Sequence, residues 1–198
     1  MGQEKILYIV AILLQAGIIV YFVVNSRAGK KAKAEMKREI ADENAYENLR
    51  TVAIQVTPAQ LKLAIPDDET LVYGLVMDCH IGDVIVTLTA YITGAANMYF
   101  SNGGNKIGGG KTPAVGEVAV EFVTAAQSYV YRTIRVTATE LCEGGCVRFY
   151  LLTNKGIHAA QEQLRYIEDG TSPWVSIFEK GNELINLMHS SGNGNIAH

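Results

Sequence analysis

Val84-Ile85-Val86-Thr87-Leu88-Thr89-Ala90-Tyr91-Ile92-Thr93 alternates more cleanly than any other stretch of this chain. Val84, Val86, Leu88, Ala90 and Ile92 fall on one side; Ile85, Thr87, Thr89, Tyr91 and Thr93 fall on the other. Period 2 marks a strand with one buried face. Just upstream, Leu71 to Cys79 is an apolar run long enough for one buried strand, and His80-Ile81-Gly82-Asp83 supplies turn chemistry between the two. Gly94 turns the chain back, and Asn97 to Ser101 reads as a third strand. Connections this short imply an antiparallel meander.

Downstream, a glycine-rich loop from Asn102 to Thr112 leads into Pro113. Thr112 as N-cap and Pro113 at N1 predict a helix to about Tyr129. Val115, Val118, Ala119, Phe122 and Ala126 form its inward stripe. Residues 131–145 carry no clear pattern. Val147 to Thr153 is a strand, Asn154-Lys155-Gly156 a three-residue hairpin loop, and Ile157 to about Gln161 the returning strand, although Ala159–Tyr166 also fits a helix. Ser172-Pro173 caps a last helix whose inner face carries Trp174, Ile177, Phe178, Leu184, Ile185 and Met188. The expectation is an α+β domain over residues 51–190: an antiparallel sheet in βββαββα order covered by two helices, with residues 191–198 as a disordered tail. That order is similar to the order in small profilin-like and roadblock-like modules, a likeness of pattern that carries no function.

Upstream, Thr57-Pro58 predicts a short helix through Leu63, and Pro66-Asp67-Asp68-Glu69 an acidic turn. Residues 25–50 read as a polar, helical stalk, basic first and acidic later, with Lys31/Glu35 and Arg38/Asp42 as i,i+4 pairs. Its apolar positions are too few for a sustained heptad seam. Ile6 to Val24 contains one strongly polar residue, Gln15. As a helix rising ~1.5 Å per residue it covers roughly a bilayer's hydrocarbon thickness, so a transmembrane helix over 6–24 is expected. Arg27, Lys30, Lys31, Lys33, Lys37 and Arg38 follow the span, against Lys5 before it. The positive-inside rule then puts residues 1–5 outside and the domain in the cytosol. A cleaved signal peptide wants its charge on the other flank, and Ile6 spoils a myristoylation motif at Gly2.

The net charge of −3 divides into +2 over residues 1–50 and −5 over residues 51–198. An acidic domain lacks the basic face that nucleic acid requires, so no nucleic acid is expected as a partner. The basic stalk suits anionic lipid headgroups instead.

Three cysteines are too few for a secreted disulfide framework. Cys142 and Cys146 flank Glu143-Gly144-Gly145; with Cys79 and His80 they are the right ligand types for a metal such as zinc, alone they make a redox-dependent cross-turn disulfide, and the ordinary expectation is plain thiols. Adjacent Cys79 and His80 face opposite sides of a strand, which argues against a shared metal. Lys106, Gly108, Gly109, Gly110, Lys111 and Thr112 form a candidate anion site, since a glycine loop at a helix start offers amides to phosphate. It is no P-loop, because Asn105 stands where that motif needs glycine. No cofactor and no catalytic constellation is legible. Anchor, stalk and acidic domain together suggest a membrane-anchored cytosolic module that binds a protein partner or a second copy of itself. The alternative is a small ligand-binding or enzymatic domain built on the glycine loop.

Overall fold

The computed structural model of the protein describes residues 45–103, 105–106 and 112–192. The apolar run 6–24, most of the stalk and residues 193–198 lie outside them. Among the described residues no helix is long and apolar enough to cross a membrane.

The fold is α+β. Among the described residues seven strands form one antiparallel sheet: β1 (Val72–Ile81), β2 (Val84–Tyr91), β3 (Ala96–Phe100), β4 (Asn105–Lys106), β5 (Ile134–Val136), β6 (Cys146–Thr153) and β7 (Gly156–Gln163). Their spatial order is β4-β3-β2-β1-β6-β7-β5. β1 to β3 make the expected meander, with Leu88 opposite Met77 and Met98. β6 then returns to the far side of β1 and completes the middle of the sheet, while β5, which precedes it in the chain, lies at the edge. Four elements depart from the expected order: the two-residue β4, the short β5, a helix before β1, and a short helix after β7.

One sheet face is covered by α2 (Pro113–Ala126) and α4 (Val175–Gly192). Val115, Ala119, Phe122 and Ala126 of the inward stripe are buried, with Val118 half-buried. Trp174, Ile177, Phe178, Leu184, Ile185 and Met188 are all buried. They meet Leu75, Met77, Leu88, Phe149 and Leu151 from the sheet. Trp174 stacks on Phe149 with ring centroids 4.8 Å apart. Gly181 lets α4 close on β1: a Cβ there would lie 2.7 Å from Met77 Cε.

The opposite face is covered by α1 (Ala45–Ile54) and the turns that follow it. The boundary expected between residues 50 and 51 therefore falls inside a helix. Tyr91 Oη donates to Ala53 O and Tyr73 Oη to Val56 O, each at 2.8 Å. The sheet thus satisfies the Ala53 carbonyl in the last turn of α1, which lacks a helical partner, and the Val56 carbonyl just past the helix. Residues 58–62 form turns instead of the expected short helix, with Lys62 at φ +57°. Thr57 and Gln60 cap each other within that single turn. β7 runs to Gln163, and only Leu164–Glu168 is helical (α3), which decides the open assignment at 159–166.

Candidate functional site

β1 is apolar apart from Asp78 and His80, and a lone carboxylate in a buried strand requires a partner. Register places Thr87 of β2 and Arg148 of β6 directly opposite Asp78, so all three side chains share the α1 face. α1 contributes Tyr46 and Arg50, one helical turn apart. Arg50 Nε and Nη2 donate to Asp78 Oδ2 at 2.9 and 2.6 Å, and Thr87 Oγ1 donates to Oδ1 at 2.5 Å. Since the one Thr87 proton is committed, Tyr46 Oη is the donor in its 2.8 Å contact with Thr87 Oγ1. The Asp78 side chain is 1% exposed and that of Arg50 7%. Burial works against the Arg50 charge, but the carboxylate and its hydrogen bonds outweigh this and raise its pKa. Burial and then Asp78 push the Tyr46 phenol up to about 12.

Residues 137–145 cross this cluster as an irregular strap. Arg50 Nη1 donates to Thr139 O at 2.7 Å, Tyr150 Oη donates to Glu140 O, and His80 Nδ1 lies 3.0 Å from Cys142 O. Gly145 N donates to His80 O at 3.2 Å. Cys142 and Cys146 are joined as a disulfide, one of the arrangements open from their spacing, where plain thiols are the expectation. Arg50 therefore ties α1 to both the sheet and the strap. Its guanidinium lies 5.4 Å from the Tyr150 ring centroid, and that of Arg148 lies 5.5 Å from the same centroid.

The four cysteine and histidine candidates are not gathered for a metal. Among the described residues no three His, Cys, Asp or Glu side chains could hold one. Cys79 is free and buried among the α2–α4 contacts, on the other face from His80, and burial chiefly pushes its thiol up to about 12. Such a thiol is a packing group, not a nucleophile. Of the glycine-loop candidates, Lys106 is in β4 opposite Met98. Gly108, Gly109, Gly110 and Lys111 lie outside the described residues. Thr112 stands at the N-cap of α2 with extended backbone, but its hydroxyl makes no capping hydrogen bond, a correction to the expected cap.

A second feature is the outer edge of the sheet at β5. Tyr131 is 75% exposed and Ile134 72%. Arg132 lies over the Tyr131 ring at 4.9 Å and donates to its hydroxyl, and Arg135 is exposed between Ile134 and Val136. No acidic residue occurs from Phe122 to Thr139, so this edge is locally basic on an otherwise acidic domain.

Neither feature is a catalytic constellation: Asp78 has its oxygens occupied, and Cys79 is sealed in the core. Compared with known proteins, the chain matches no family model, no curated protein and no solved structure.

Proposed function

We propose that this chain is a membrane-tethered cytosolic protein-interaction module, held by residues 6–24 and presenting the β5 edge to a protein partner. The observation that carries the reading is the pair of exposed apolar side chains at the sheet's outer edge, Ile134 on the terminal strand and Tyr131 in the turn of helix just before it, with Arg132 and Arg135 beside them. Tyrosine and arginine are enriched at the energetic centres of protein interfaces. An edge strand also offers main-chain groups to an added strand. The six cations after the apolar run support the cytosolic orientation and an additional attraction to anionic headgroups. α1 supports the tether's mechanical role: the stalk runs into a helix whose Arg50 is bonded to the central strand.

The test is mild-detergent extraction of the full chain followed by identification of co-purifying proteins, wild type against Ile134→Asp. The side chain is exposed, so the substitution leaves the core intact. A specific partner, or a second copy, retained by wild type and lost by Ile134→Asp is the expected result. Identical recovery from both chains would remove β5 from the interface.

A further inference from the structure

The α1-face cluster contains one more positive charge than it neutralises. Asp78 lies between two guanidiniums, with Arg148 directly opposite it in register and Arg50 above it on α1. The carboxylate accepts two hydrogen bonds from Arg50 and one from Thr87. The two ion pairs among the described residues are Arg50–Asp78 and Lys180–Glu121, and neither includes Arg148. Arg148 is half-buried, and its Nε is fully buried with no hydrogen-bond partner. A buried donor left unmade costs more than an average hydrogen bond returns, and more still on a charged group. Moving both arginines onto the Tyr150 ring offsets part of this, because cation–π contact attracts charge without supplying an acceptor.

We propose that Arg148, with Arg50 beside it across the Tyr150 ring, forms a binding site for a small oxyanion: a carboxylate or a phosphate. The planar guanidinium fork matches two oxygens of such a group, which a spherical halide cannot do. The ligand supplies the acceptor that Arg148 Nε does not find in Asp78, and it brings the local charge to balance. A free ion and an acidic side chain of a partner share this chemistry. The site rests on the cluster alone, independently of the tether and of β5.

The experiment titrates the full chain in detergent with inorganic phosphate, with acetate and with a glutamate-rich peptide, against chloride at matched ionic strength, reading the unfolding temperature. Saturable stabilisation by phosphate or acetate over chloride is expected. Arg148→Gln should weaken it about 10-fold or more, the value of a charge-assisted hydrogen bond. Arg148→Lys, which keeps the charge and loses the fork, should fall between. Tighter binding of the peptide than of acetate assigns the site to a partner's side chain; the ions alone assign it to a free anion. In chloride, Arg148→Gln should be at least as stable as wild type. A second readout uses the wild-type chain only: the Arg148 Nε proton resonance should move saturably with phosphate. Equal stability of wild type in all three salts, anion effects that survive in Arg148→Gln, or an unmoved Nε resonance would each overturn the proposal. Retention of the anion response in Ile134→Asp separates this site from the proposed interface.

Discussion

Removing Asp78 should cost more than removing Arg50, although the two form one ion pair. Asp78→Ala leaves the Arg50 guanidinium 7% exposed with two lost hydrogen bonds, strips Thr87 of its acceptor, and leaves Arg148 beside a second uncompensated cation. Breaking a buried pair from one side typically costs about 3–5 kcal/mol, and this case belongs at about 5. Arg50→Ala leaves a carboxylate that keeps the Thr87 hydroxyl and has Arg148 opposite it. That places it near the lower end, about 3 kcal/mol. Arg50→Met with Asp78→Leu removes both charges and should come back to within roughly 1–2 kcal/mol of wild type. The assay is urea unfolding of the full chain in detergent, read by the single tryptophan, Trp174, which stacks on Phe149 in the core. Acetate should stabilise Asp78→Ala more than wild type, by replacing the missing carboxylate. A cost below about 1 kcal/mol for Asp78→Ala, or a larger cost for Arg50→Ala, would refute the reasoning that Asp78 bonds Arg50 and also offsets the nearby charge of Arg148.

Reducing the Cys142–Cys146 disulfide opens a loop of about five residues, and chain-entropy arithmetic gives a loss of about 2 kcal/mol, measurable by unfolding with and without reductant. The two helix starts should behave differently. Ser172→Ala should cost about 1 kcal/mol because Ser172 Oγ accepts from Trp174 N at 3.0 Å and donates to Glu162, whereas Thr112→Ala should be near neutral for want of a capping bond. His158 binds its proton less readily in the folded chain, through burial and then the Arg135 charge. Its folded pKa is therefore below the unfolded value of about 6.5, so stability is full above that pH and declines as pH falls through the folded pKa. Unfolding between pH 7.5 and 5 should show this slope, reduced in His158→Asn.

The meander was readable because Val84–Thr93 has one buried face, and the same logic exposed the inner faces of α2 and α4. α1 was not readable as part of the domain. Only Arg50, Ala53 and Ile54 of its ten residues are buried, and a buried arginine has the composition of a solvated stalk. The available signal was Asp78, a charge inside the apolar run 71–79 that demanded a partner, but that partner lies 28 residues away. β5 escaped notice for a different reason. Its side chains are exposed, exposed and half-buried in turn, so no alternation marks it. Arg148 looked like an ordinary strand residue, because its lack of a partner depends on how Asp78 spends its oxygens.

The central claim, a domain tethered to a membrane on its cytosolic side, is tested most directly by thiol labelling in sealed cells. Ser190, exposed near the end of α4, is changed to cysteine after Cys79, Cys142 and Cys146 have been replaced by serine or alanine. The account predicts that the chain sediments with membranes, resists a membrane-impermeant thiol reagent in intact cells, and reacts fully after lysis. Labelling in intact cells, or recovery of the chain apart from membranes, would contradict it.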